Sequence, residues 1–189
     1  MIRPSSVAFR ALACAGMVLS ASLLTLPATA RPASKPATGK PAAPGGGQQI
    51  GAFGDWGAYA SQGRNKVCYA LSQPKERLPK QLNRDPAYLF VSMRPADGVR
   101  NEVSWVLGFG AKDSTDAEAV VDGTGFAVVT KGANGWIKDP AQESPVVAAM
   151  SKGEKLILKV QSARGNKLSD EYSLRGFTQA LERARKECS

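Results

Sequence analysis

Apolar and polar positions alternate through much of the chain beyond residue 49, and the alternation predicts strands. In Glu102–Phe109, EVSWVLGF, Val103, Trp105, Leu107 and Phe109 share one face, while Glu102, Ser104 and Gly108 share the other. Period two sustained over such a segment marks a strand with one buried side. Ala87–Met93, AYLFVSM, is apolar throughout and β-prone, as for a strand covered on both faces. Gly125–Lys138, GFAVVTKGANGWIK, reads as a hairpin turning at Asn134-Gly135, a pair that readily takes positive φ. Lys155–Leu174, KLILKVQSARGNKLSDEYSL, reads as a second hairpin. Leu156, Leu158 and Val160 line one arm, Leu168, Tyr172 and Leu174 the other, with Gly165 and Asn166 at the bend.

Two segments change period. Glu143–Gly153, ESPVVAAMSKG, offers Ser144 as an N-cap, Pro145 at the first helical position and Gly153 as a stop. Arg175–Cys188, RGFTQALERARKEC, repeats Phe177, Ala180, Leu181, Ala184 and Cys188 at three- and four-residue spacing, with Gln179, Glu182, Arg183 and Lys186 directed elsewhere. The expected fold is mainly β, a sandwich or barrel-like arrangement, with two short helices, one of them C-terminal.

The N-terminal region is patterned differently. Arg3 and Arg10 precede an apolar run from about Ala11 to Leu26, and Ala28-Thr29-Ala30 follows. This is the layout of a cleavable signal peptide, residues 1–30, with cleavage after Ala30 and a mature protein in the periplasm or secreted. A lipid anchor on Cys14 is disfavoured because the apolar run follows that cysteine. Residues 31–48, RPASKPATGKPAAPGGGQ, carry no bulky apolar side chain and are expected to form a disordered tether. Residues 49–189 are one domain's worth of chain. No segment reaches the roughly 18 apolar residues of a membrane helix.

Cleavage leaves two of the three cysteines, Cys68 and Cys188. Cys68 lies in Asn65–Pro74, NKVCYALSQP, an apolar run that reads as a buried strand. A nucleophile, a metal ligand, a free structural thiol and half of a disulfide are the alternatives. An even count in an oxidising compartment favours the disulfide. Cys188 closes the buried stripe of the last helix, so the two thiols can meet across a loop of roughly 120 residues, a cross-link worth about 4 to 5 kcal/mol in the chain-entropy account.

Charge and chemistry narrow the function. The chain carries +9 with no acidic residue before position 49, and removing Arg3, Arg10, Arg31, Lys35 and Lys40 leaves the domain at +4. That mild excess suits solubility and is compatible with an anionic envelope or host-surface partner. No basic run is interleaved with aromatics, so nucleic acid is not indicated. The chain holds no histidine, which excludes the usual Ser-His-Asp and Cys-His sites and removes the commonest transition-metal ligand. No catalytic, cofactor-binding or metal residue is assigned. Asp55, Asp85, Glu102, Asp116 and Glu118 are the acids open to a carboxylate-based hydrolase, and no spacing singles out a pair. Lys112–Gly123, KDSTDAEAVVDG, reads as a solvated acidic loop from Asp113 to Asp122 and lacks the pattern of a calcium loop. Arg84 and Asp85 in Leu82–Tyr88, LNRDPAY, read as a turn that positions its own charges. Trp56, Trp105 and Trp136 are the side chains open to stacking on a sugar; Trp105, with apolar neighbours on its strand face, reads as core, and Trp136, beside a turn, is the least settled of the three.

Phe53–Tyr59, FGDWGAY, Lys66–Gln73, KVCYALSQ, Ala149–Leu158, AMSKGEKLIL, and Tyr172–Leu181, YSLRGFTQAL, occur in an order that resembles the invasion-associated locus B family of exported Gram-negative proteins. The resemblance implies a β-rich periplasmic or surface domain without an established catalytic activity, linked in some members to host-cell entry. Many members carry a second cysteine pair near the hairpin where this chain has Thr130–Ile137, TKGANGWI, so no role tied to that pair transfers. The function expected is that of a non-catalytic binding or envelope-interaction protein, and the alternative is a histidine-free hydrolase of envelope glycans.

Overall fold

Alternation decides which side chains each strand turns inward. In the hairpin of β10 (Lys155–Gln161) and β11 (Lys167–Ser173), Leu156, Leu158, Val160, Leu168 and Tyr172 are buried, while Lys155, Lys159 and Lys167 are exposed. β5 (Tyr88–Arg94) and β6 (Val99–Val106) pair antiparallel with Val91 opposite Val103, both fully buried. These residues belong to a computed structural model that describes residues 45–113 and 117–189. The expected signal peptide, residues 1–30, and residues 31–44 of the expected tether lie outside the described residues.

Two expectations shift in the middle of the chain. β8 (Thr124–Lys131) and β9 (Asn134–Ile137) join through Gly132 and Ala133, with Lys131 opposite Asn134. Gly132 supplies the left-handed residue at φ 57°, so the bend falls two residues before Asn134-Gly135, which enters the strand. The expected acidic loop contains β7 (Ala117–Val121), paired with both β8 and β10. Its inward positions are Ala117, Ala119 and Val121, and Glu118 points outward to Lys159, 3.2 Å away.

The remaining strands are β1 (Gln48–Phe53), β2 (Trp56–Ala60), β3 (Cys68–Ser72) and β4 (Glu76–Leu78). β1 begins at Gln48 and Gly47 N donates to Tyr69 Oη at 3.0 Å, so residues 47 and 48, expected in the tether, join the domain. A Cβ on Gly47 would lie 2.7 Å from that hydroxyl, which is why glycine suits the crossing.

All neighbours are antiparallel in the order β1-β2-β3-β5-β6-β9-β8-β7-β10-β11-β4. β4 follows β3 after only Gln73, Pro74 and Lys75. The sheet that leaves β3 through β5 therefore returns through β11 to the same stretch of chain and closes as a barrel, with β1 and β2 extending it beyond β3. Pro74 cannot donate to a ladder, and it sits where the strand changes partner. Lys75 N donates to Glu171 O at 2.7 Å as the new pairing begins.

α1 (Glu143–Lys152) and α2 (Phe177–Glu187) pack into the same core. α1 starts one residue ahead of Ser144, because Asp139 Oδ1 accepts from Ala141 N and caps a 3-10 turn, Pro140–Gln142, that leads into the helix. Its end at Gly153 matches the sequence reading. α2 lays Phe177, Ala180, Leu181 and Ala184 against β2 and β3, where Ala58, Ala60 and Ala70 let the helix approach closely. Among the described residues, no helix is long and apolar enough to cross a membrane.

Cys68, the first residue of β3, and Cys188, which caps α2, are joined in a disulfide with their Cα atoms 6.0 Å apart. The bond spans 120 residues and fastens the end of the last helix to the strand on which the barrel closes. Replacing either cysteine with alanine is expected to lower the unfolding free energy by about 2 to 5 kcal/mol. The double replacement should cost little more than either single one, since both remove one cross-link. Denaturant titration of the three variants, with thiol titration of the unreduced denatured protein, checks this; two free thiols per chain or additive losses would contradict it.

Candidate functional site

The segments Gly54-Asp55-Trp56 and Ser173–Phe177, far apart in sequence, meet face to face. Asp55 N donates to Arg175 O at 3.0 Å and Trp56 Nε1 donates to Ser173 O at 2.8 Å. The Trp56 ring lies 4.7 Å from that of Phe177. Asp55 pairs with Lys75 and, at 3.5 Å, with Arg175 Nε, while Ser72 Oγ donates to Asp55 O at 2.8 Å. Hydrogen bonds from Lys75 and Ser173 hold the Asp55 carboxyl below the usual aspartate range, against the opposing effect of burial. The backbone comes so close that a Cβ on Gly176 would sit 1.9 Å from Phe53 O, and Gly176 is left-handed at φ 91°. The arrangement is a seam that locks β2, β3, β4 and β11 together, and its acid is committed to that seam.

The other candidate acids are dispersed. Arg94 grips both oxygens of Glu102, at 3.0 and 2.7 Å. Burial pushes the nearby Glu143 carboxyl up, and the Glu102 charge adds to the effect. Asp122 accepts from Glu154 N and Lys155 N at the start of β10, and Asp113 accepts from Gly132 N. Asp116 lies outside the described residues. Among the described residues, no group of three or more His, Cys, Asp or Glu side chains could hold a metal ion. Trp56 and Trp105 are buried in the core, and Trp136 is half-buried on the face of β9 opposite Ile137.

A buried ionic cluster occupies the β4 end of the barrel. Asp170, on the inward face of β11, takes Arg84 Nη1 at 2.7 Å and Arg77 Nε at 3.1 Å. The Asp170 and Arg84 side chains are only 4% and 5% exposed. Arg84 thus leaves the turn in which the sequence placed it and reaches across to another strand, its guanidinium 6.0 Å from the Phe109 ring. Arg77 also donates to Asp85 O at 2.7 Å and Leu107 O at 2.8 Å, tying the loops around this end to β4. Burial pushes the Asp170 carboxyl up even though both guanidinium groups pull it down. The Tyr172 hydroxyl, fully buried and without a hydrogen-bond partner among the described residues, is driven well up by burial and then by Asp170.

Above the cluster opens a cavity of about 450 Å³, lined by Arg84, Asp85, Phe109, Ser162, Arg164 and Asn166 among others. A second, more apolar cavity of about 360 Å³ lies beside the disulfide, lined by Met93, Val99, Arg100, Arg185 and Cys188 among others. Neither Arg77 nor Asp170 was singled out from sequence. The signal was present, since Leu168, Asp170 and Tyr172 are spaced by two and place a carboxylate on the inward face of a strand.

No protein-family model and no curated protein matches this sequence. Among solved structures, the crystal structure of invasion associated protein B from Bartonella henselae is similar at 22% sequence identity and a TM-score of 0.54, covering 73% of this chain and 96% of that one. At this identity the likeness establishes the fold, a mostly antiparallel sheet with a helix near the C-terminus.

Two outcomes follow from the seam. Gly176→Ala combines a strained left-handed alanine with a backbone collision, and is expected to cost more than about 2 kcal/mol by denaturant titration; a loss under 0.5 kcal/mol, the usual bound for a neutral surface change, would contradict the close approach. Asp55 keeps its charge to lower pH in the folded state than in the unfolded chain. Its stabilisation is therefore present above about pH 4 and is lost as pH falls through the depressed folded value. The stability difference between the native protein and Asp55→Asn should shrink between pH 5 and 2, bounds set about the ordinary aspartate value, whereas a constant difference would contradict the assignment.

Proposed function

We propose that the mature domain is an exported, non-catalytic binding protein that engages a component of the bacterial envelope or of a host surface. The observation that carries this reading is the floor of the 450 Å³ cavity, where the buried side chain is the guanidinium of Arg84, held by Asp170. A guanidinium keeps its proton at any physiological pH, so it recognises ligands and does not exchange protons with them. Export is read from the N-terminal sequence, and the Cys68–Cys188 bond, of a kind that persists in oxidising compartments, supports it. The likeness to an invasion associated protein supports the envelope setting, and a part in host-cell contact belongs to the proposal on that likeness alone.

A second reading, a hydrolase of envelope glycans, draws on Glu102 and Glu143. A glycosidase needs one protonated and one ionised carboxyl, and burial raises Glu143 while Arg94 sits on Glu102. The binding reading is preferred because the Arg94 fork takes both Glu102 oxygens, leaving that carboxylate engaged.

The two are separated by incubating the mature domain with purified envelope polysaccharide and with outer-membrane vesicles. The binding reading predicts co-sedimentation with at least one fraction and no release of reducing ends above the blank. Release of reducing ends that disappears in Glu143→Gln would overturn it in favour of the hydrolase, and failure to sediment with any fraction would remove the proposed partner class.

A further inference from the structure

We propose that the cavity at the β4 end of the barrel is an anion pocket that takes one negative charge spread over two oxygens, the chemistry shared by a carboxylate and a phosphodiester. The proposal rests on the reading of this domain as a binding protein and names the group it would bind. Arg84 and Arg164 line the cavity with one carboxylate, Asp85, and behind Arg84 lie Asp170 and Arg77, so three guanidinium groups face two carboxylates. One positive charge is left over. Asp170 already serves both Arg77 and Arg84, so the surplus sits on deeply placed groups where solvent screening is weak and an added anion gains most.

Hydrogen bonding points the same way. Arg84 has five N–H donors, and its bonds run from Nη1 to Asp170 Oδ1 and from Nη2 to Leu78 O. The remaining donors belong to a planar fork that suits two oxygens of one anion. Its orientation is fixed by Asp170 below and by Phe109 alongside, so little ordering is left to be done on binding. At the rim, Arg164 is exposed at the bend of the β10–β11 hairpin, next to Gly165. That bend is held by hydrogen bonds from Gly165 N to Ser162 O at 2.8 Å and from Asn166 N to Ser162 Oγ at 3.1 Å. The cavity, about 450 Å³, also has Phe109 and Leu168 in its lining, so it has room and apolar surface for a charged group carried on a larger body.

The test titrates the mature domain with galacturonate, with glycerophosphoglycerol and with uncharged galactose, following backbone amides by NMR. A carboxylate ligand predicts shifts with galacturonate, and a phosphodiester ligand predicts them with glycerophosphoglycerol. In either case they should centre on residues 108–110 and 162–166, with none for galactose. Arg164→Ala should weaken binding about tenfold, the loss expected for a hydrogen bond to a charged group, and Arg164→Glu should abolish it. Arg164 lies outside the core, so these variants should keep the native spectrum elsewhere. No shifts with either anion, shifts centred elsewhere, or equal affinity in Arg164→Glu would overturn the pocket. Envelope sedimentation read on Arg164→Glu separates the two proposals. On that variant, sedimentation that persists with anion binding lost leaves the binding function standing and shows that the pocket is not what holds the envelope; on the native domain, sedimentation with no shift for either anion removes the pocket, and anion shifts without sedimentation remove the proposed partner class.

Discussion

Barrel closure through one stretch of chain, residues 68–78, is the constraint on which the rest of the structure depends. β3 pairs with β2 and β5, and β4, three residues later, pairs with β11. A strand can change partners in this way only if the backbone groups at the crossing find substitutes for the ladder they leave. Lys75 N finds Glu171 O, and the carbonyl of Asp55 takes the Ser72 hydroxyl. Glycines 54 and 176 let the two backbones come within bonding distance. The placement of α2 follows, because Phe177 begins where the seam ends and packs on Trp56. The disulfide then fixes the other end of the same helix.

Closing the barrel with a short, partly charged strand has an energetic consequence. β4 contributes Glu76, Arg77 and Leu78, so its inward offering is a guanidinium where an aliphatic residue would simply fill the interior. Burying that charge is costly unless a partner is supplied. Asp170 supplies it from the neighbouring strand, opposite Arg77 in the register, and Arg84 completes the cluster. This end of the barrel is polar beneath an open cavity, while the body of the barrel is a continuous apolar core that includes Trp105, Leu89, Val91 and Leu158. The proposed anion pocket thereby has a rigid floor, the arrangement a binding function needs.

Legibility in the sequence followed the strength of local signals. The β10–β11 hairpin, β5, β6 and the buried stripe of α2 were plain because their apolar period runs over many residues and matches the face that the fold buries. β7 was hidden because two of its three inward positions are alanines, Glu118 is one of its two outward positions, and acids flank it at Asp113 and Asp122, which together read as solvated loop. β4 was hidden because three residues between Pro74 and Pro79 carry no period, and the strand exists only through its pairing with β11. The turn of the β8–β9 hairpin was misplaced because Asn-Gly is the stronger local signal, yet Gly132 satisfies the register of the longer strand. The motifs behind the family resemblance were visible, but their role was not, since nothing local says that Gly-Asp-Trp and Arg-Gly-Phe are two sides of one seam. Asp170 could have been flagged by its inward spacing; its partners, from β4 and from the loop after it, could not.

The most direct test of closure at this seam is native-state hydrogen exchange of the Asp55 and Lys75 amides, which bond to Arg175 O and Glu171 O. If the seam holds the barrel shut, both amides exchange only through the global opening that also frees Leu158 and the other amides at the centre of β10 and β11. Exchange orders of magnitude faster than at those central positions, in a protein that otherwise stays folded, would show that the barrel opens there without unfolding and would contradict the account.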